Sequence, residues 1–118
     1  MYTAGIDVGS VGAKCIVLNH DREILFEFPY RRHFGRVVPQ VIELFRELYE
    51  RFPPEQIRSI AMTGNHGKMV AQRLGMPYEY DSVTQIVAVL HLVPDAASII
   101  TMGDQDASLY RLSHKSVQ

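Results

Sequence analysis

The chain has 118 residues, 47% of them hydrophobic, and a net charge of −1 at pH 7. That suffices for one compact core and gives neither a nucleic-acid footprint nor a binder of anionic membranes. No apolar run approaches a membrane span, no signal-type segment opens the chain, and the single cysteine excludes an internal disulfide, so a cytoplasmic setting is expected.

Tyr2 to Val8 reads as a first strand, Ala13 to Asn19 as a second and Ile24 to Tyr30 as a third. His20-Asp21-Arg22-Glu23 is the polar turn between the last two. Cys15, within the second strand, reads as a small buried hydrophobe rather than a reactive thiol. The basic segment Tyr30-Arg31-Arg32-His33-Phe34-Gly35-Arg36 leads into a helix from Val38 to Phe52. Val41, Leu44, Phe45, Leu48 and Phe52 recur there at steps of three or four and form its buried face. Pro53-Pro54 ends it. A fourth strand is expected from Arg58 to Met62, then the loop Thr63-Gly64-Asn65-His66-Gly67 and a short helix from Lys68 to Leu74, stopped by Gly75. Asp81 or Ser82 caps another helix with Ile86, Val87, Leu90 and Val93 along its apolar side. Ala97 to Met102 reads as a fifth strand, apolar enough to be central and buried, and Ala107 to Leu112 as a short final one.

The order β-β-β-α-β-α-α-β predicts an α/β fold: a mixed five-stranded sheet with helices on its faces, matching the ribonuclease-H-like core. In such a sheet the end of strand one with Asp7, the Thr63-Gly64 loop after strand four, and the turn after strand five with Asp104 and Asp106 converge on one crevice.

Gly5-Ile6-Asp7-Val8-Gly9-Ser10-Val11-Gly12-Ala13-Lys14 is the most telling stretch. An apolar strand delivers an aspartate to its end, and a turn of small residues leads straight into a second strand. Such a hairpin can wrap its N–H groups around a phosphate. Gly9 and Gly12 are expected to supply close approach and unusual φ. Ser10 and Lys14 add a hydroxyl and a cation, and Asp7 suits Mg²⁺, which takes few carboxylates and keeps waters. A Rossmann turn would open a helix instead, and no P-loop string is present. An ordinary glycine-containing hairpin fits the same letters.

These residues resemble the first phosphate motif of the actin/sugar-kinase/Hsp70 ATPase superfamily, and within it the BadF/BadG/BcrA/BcrD ATPases, the activators of 2-hydroxyacyl-CoA dehydratases. Gly103-Asp104-Gln105-Asp106-Ala107 resembles that family's second phosphate motif, and Arg32-His33-Phe34-Gly35-Arg36 with Thr63-Gly64 is similar to the first ATPase module of its fused members. The resemblance implies an actin-like ATPase lobe binding ATP or ADP with Mg²⁺. Gly9, Ser10, Val11, Gly12 and Lys14 would hold phosphates, joined by Thr63, Gly64, Gly103 and Asp104. Asp7 and Asp106 would place the metal and the attacking water. It further implies ATP-driven electron transfer to a CoA-ester dehydratase, a homodimer, and a second lobe elsewhere in a longer parent chain, of which this is an N-terminal fragment, inactive alone.

Three departures stand out. Thr101, Asp104 and Ser108 replace an Asp, a Gly and a Lys of the second motif, and Asp104 sets a negative charge where a phosphate would approach. The cysteine that would ligate an iron–sulfur cluster is replaced by Thr84, so no cluster ligand is visible. No adenosine-binding motif follows. A degenerate, non-hydrolysing lobe used for docking or regulation is therefore the second reading, and a sugar or acyl kinase lobe the third. A ribonuclease-H-type nuclease lacks the acidic cluster and basic face it needs. His33 and His66 are expected as solvated histidines, and Arg31, Arg32 and Arg36 as a solvated basic turn. Met62, Met69 and Met76 are expected to serve packing.

Overall fold

The structure is a computed structural model that describes residues 1–102 and 107–111. It divides into two compact units, Met1–Tyr80 and Asp81–Gln118.

The first unit is a mixed sheet with helices. Strand β1 (Tyr2–Val8) pairs antiparallel with β2 (Gly12–Leu18), and β2 with β3 (Ile24–Glu27). A two-residue strand, β4 (Arg31–Arg32), returns to the start of β2. Helix α1 (Val37–Arg51) then carries the chain to β5 (Ile57–Thr63), which lies parallel to β1, as a strand reached by a helical crossover can. The sheet order is β3-β2-β1-β5, with β4 beside β2.

Alternation along the strands decides the core. Ala4, Ile6 and Val8 of β1 register with Val17, Cys15 and Ala13 of β2, and all six are buried. Ile60 and Met62 of β5 continue this face beside Ala4 and Ile6. Val41, Leu44 and Leu48 of α1 join it, as do Val70 and Ala71 of helix α2 (Gly67–Leu74). Each large side chain taken from water there contributes roughly 1.5–3 kcal/mol. The α1 face is the one its periodicity predicts, with Phe45 and Phe52 packing from the margin. Gly75 ends α2 with φ +66, as a left-handed C-cap should. Met62 is buried and Met76 packs on the core, whereas Met69 is exposed, so the packing role expected of it fails.

The third strand stops short of the expected Tyr30. Pro29 has no N–H for the ladder, and the chain re-enters pairing only at β4. The edge of β5 is closed at Met62 by the segment after α2: Met62 N–H donates to the Pro77 carbonyl at 2.9 Å, and Glu79 N–H donates to the Met62 carbonyl at 3.0 Å.

The second unit holds helix α3 (Asp81–Leu92) and the hairpin β6 (Ser98–Met102) with β7 (Ala107–Arg111). Strand β6 was expected to be apolar enough to be central and buried. It pairs with β7 in a two-stranded sheet, and only one side of it is sheltered: Ile99 is buried and Ile100 is 70% exposed. An apolar strand can satisfy its ladder with an adjacent hairpin partner, and the local partner here is β7. Thr84 donates its hydroxyl to the Asp81 carbonyl within α3.

Candidate functional site

Strands β1 and β5 end side by side, with Asp7 in register with Thr63. Across β1 on the other flank, Asp7 is in register with Lys14. The end of β1, the β1–β2 hairpin and the Thr63–Gly67 loop therefore share one edge, as expected. Gly103, Asp104 and Asp106, the remaining members of the expected site, lie outside the described residues.

Close approach in this edge is made by Gly64. Its φ is +99, and a Cβ there would lie 2.3 Å from the Val8 carbonyl oxygen and 2.5 Å from Asp7 Oδ1. Only glycine tolerates both the angle and the space. Two bonds secure the loop: Tyr78 hydroxyl donates to the Gly64 carbonyl at 3.0 Å, and the Thr63 hydroxyl donates to the Glu79 carbonyl at 2.7 Å. Asp7 is half-buried where these backbones meet.

Gly9 and Gly12 act differently from expectation. Neither has a positive φ. Gly9 N–H donates to the Gly12 carbonyl at 2.9 Å, closing the hairpin, and a Cβ on Gly9 would lie 3.4 Å from that oxygen, in ordinary contact. Gly12 is needed for packing: a Cβ would come within 2.5 Å of the Tyr30 ring and 2.6 Å of the Arg31 carbonyl. Lys14 is exposed, with Nζ 5.6 Å from the centre of the same Tyr30 ring. Ser10 and Val11 form the tip and are half-buried.

The largest correction concerns the histidines. His33 is 3% exposed, not solvated. Its N–H donates to the Val11 carbonyl at 3.1 Å. Gly35 N–H reaches Nδ1 at 3.1 Å, and Nε2 lies 2.9 Å from the Gly9 carbonyl. A carbonyl only accepts, so Nε2 carries the proton and Nδ1 the lone pair. His66 is half-buried and packs edge-to-face on His33, ring centres 5.5 Å apart, while its N–H donates to the Val8 carbonyl at 2.9 Å. The basic turn is also less solvated than its letters suggest, since Arg31 pairs with Glu47 of α1. Sequence reasoning missed Tyr30 and Tyr78 as supports. Their signal was faint: aromatic residues flanking a glycine loop and a proline.

Cys15 is buried as expected, and burial pushes its thiol up to about 12, so it is neutral and poorly nucleophilic at ordinary pH. Among the described residues no three His, Cys, Asp or Glu side chains gather into a metal-binding group, and no helix is long and apolar enough to cross a membrane.

No protein-family model matches the chain. A 2-hydroxyisocaproyl-CoA dehydratase activator of Clostridioides difficile is 24% identical over 97% of the chain and 42% of its own length. Among solved structures, component A of (R)-2-hydroxyglutaryl-CoA dehydratase from Acidaminococcus fermentans has a TM-score of 0.82 at 22% identity, over 96% of this chain and 43% of that one. The activator of 2-hydroxyisocaproyl-CoA dehydratase from Clostridium difficile, with bound ADPNP, has a TM-score of 0.74 at 24% identity, over 98% and 42%. The chain spans under half the length of these relatives. In sequence it is similar to a 2-hydroxyisocaproyl-CoA dehydratase activator, and it shares the fold of the matched part of both solved structures.

Proposed function

We propose that the chain is the phosphate-binding lobe of an ATPase that activates 2-hydroxyacyl-CoA dehydratase-type enzymes through ATP-driven electron transfer, the other lobe lying elsewhere in a longer protein. The observation that carries this reading is the edge where Asp7, the Gly9–Gly12 hairpin and Gly64 meet, in a fold shared with an activator that binds ADPNP. In this reading the Ser10 amide and Lys14 hold phosphates and Ser10 adds a hydroxyl, while Thr63, whose hydroxyl donates to the Glu79 carbonyl, holds the neighbouring loop in place. Gly103 and Asp106 of the second motif, outside the described residues, are assigned to the same nucleotide by the resemblance alone.

The donor set suits Mg²⁺. A single carboxylate beside bound phosphates is what Mg²⁺ takes, since it binds through one or two carboxylates, waters and substrate phosphates. Asp7 would hold it, and when bound it would neutralise phosphate charge. The chain's own part is to fix the phosphates and exclude other geometries, which is most of what phosphoryl transfer asks of a protein. A dimeric parent and a dehydratase partner follow from the same reading, and Thr84 leaves any cluster to other residues.

A second reading, a lobe that binds or docks without hydrolysing, is favoured by Thr101, Asp104 and Ser108. Binding of a fluorescent ADP analogue with Mg²⁺, chased by ADP, tests the first reading: saturable binding lost in Asp7→Ala supports it, and undiminished binding in that variant refutes it. ATP turnover by the full-length parent, abolished in Asp7→Ala, would refute the second.

A further inference from the structure

Four carbonyls of the β1–β2 hairpin each meet a named donor, and three of these donors lie outside the hairpin. Val8 accepts from His66 N–H, Gly9 from His33 Nε2–H, Val11 from His33 N–H, and Gly12 from Gly9 N–H. One side chain, His33, sets the middle of this series. It is buried, and its tautomer is locked from the far side by Gly35 N–H on Nδ1.

The lock is built with some strain. Phe34 has φ +49 and Gly35 φ +77, and Arg36 N–H closes back on the His33 carbonyl at 2.7 Å. A phenylalanine in the left-handed region is costly, and its ring is 79% exposed, so burial of the ring is no compensation. The conformation returns Gly35 N–H to the imidazole.

The consequence lies in the peptide plane. No peptide bond here is cis. In a trans peptide the carbonyl of one residue and the N–H of the next point in opposite directions. Holding the Gly9 carbonyl toward His33 therefore turns the Ser10 N–H away from His33, out of the tip. Without that bond the Gly9–Ser10 peptide is free to rotate, and the amide is no longer presented in one orientation.

We infer that His33 is the positioning residue of the phosphate hairpin: its Nε2–H bond to the Gly9 carbonyl orients the Gly9–Ser10 peptide so that the Ser10 amide faces an incoming phosphate. This rests on the phosphate reading of the hairpin. It assigns to the Arg32–Arg36 segment a role that its polar letters conceal.

Two substitutions separate positioning from packing. His33→Gln places an amide N–H near Nε2 and keeps a donor for Gly9, but lacks the acceptor at Nδ1. His33→Asn keeps an acceptor near Nδ1 for Gly35 and loses the donor for Gly9. The chain and both variants are titrated with Mg²⁺·ADP, following the Ser10 amide by NMR, and their thermal midpoints are measured in parallel. We expect affinity to fall about tenfold in His33→Asn and to stay within about threefold in His33→Gln, irrespective of which variant is the less stable. Equal affinity in wild type and His33→Asn overturns the role, as does a loss in both variants that tracks their loss of stability. If His33→Asn fails to fold, His33→Gln decides alone: wild-type-like binding in a folded Gln variant upholds the role, and weakened binding overturns it. A wild-type chain that gives no shift overturns the phosphate reading beneath it, which is a different failure.

Discussion

The two turns of the β1–β2–β3 meander are built in opposite ways. The β2–β3 turn is self-sufficient. Asn19 Oδ1 accepts from Asp21 N–H and Glu23 N–H, both at 2.9 Å, and the Asn19 and Glu23 backbones close on each other. Its amides are spent on its own side chain. The β1–β2 turn is held from outside, by His33, His66 and the Gly64 loop, and those bonds hold its carbonyls. The β1–β2 turn spends one amide on itself, Gly9 N–H on the Gly12 carbonyl, whereas the β2–β3 turn spends the amides of Asp21 and Glu23 on Asn19. A turn whose Gly9 and Val11 carbonyls are held by His33 can present the Ser10 amide, which is what the proposed phosphate site requires.

The comparison breaks most severely at Gly64. Gly64→Ala would combine a left-handed φ with a backbone clash, and we expect a loss on the order of 3 kcal/mol, seen in chemical denaturation. Stability within error of wild type would show that the loop does not need its close approach. Gly12→Ala should cost about 2 kcal/mol by pushing against Tyr30 and the Arg31 backbone, whereas Gly9→Ala, with ordinary contact and ordinary φ, should cost under about 1 kcal/mol; the reverse order would mean that Gly9 is the constrained position. Asn19→Ala should cost about 1 kcal/mol, the net worth of its hydrogen bonds, and leave Mg²⁺·ADP binding untouched. A drop in binding there would erase the distinction between the turns.

The smallest effect is at Cys15, in β2 between the two turns. Its folded-state thiol is raised by burial to about 12 from 9.0, so the neutral form is favoured on folding. That contribution is whole below about pH 9 and is lost as pH climbs through about 12. A native thiol slow to alkylate at neutral pH, and a stability that declines only above about pH 9, are expected; rapid alkylation of the folded chain would contradict the burial.

Much of this was legible in the letters. Tyr2–Val8 and the Val41, Leu44, Leu48 face follow from periodicity alone, because the first has one sheltered side and the second one apolar stripe. The Asp7 hairpin and the Thr63-Gly64 loop were readable because glycine and aspartate at strand ends have few other uses. His33 was not. Its partners are carbonyls of residues far back along the chain, and a histidine among arginines looks like surface. Its one local sign was Gly35, two residues on, which permits the turn that brings an N–H to Nδ1. The direction of Gly12 was hidden for the same reason: Tyr30 reaches it only through the β4 return. The pairing of β6 with β7 was hidden because an apolar run tells that a strand forms, not which neighbour it takes.

The most direct test is an NMR titration of the chain with Mg²⁺·ADP that follows both turns at once. We predict shifts at Gly9, Ser10, Val11 and Gly12, abolished in Asp7→Ala, with Asp21 and Glu23 unmoved. Silence at Gly9–Gly12 at millimolar nucleotide, or equal movement at Asp21 and Glu23, would contradict a phosphate site built on the first turn alone.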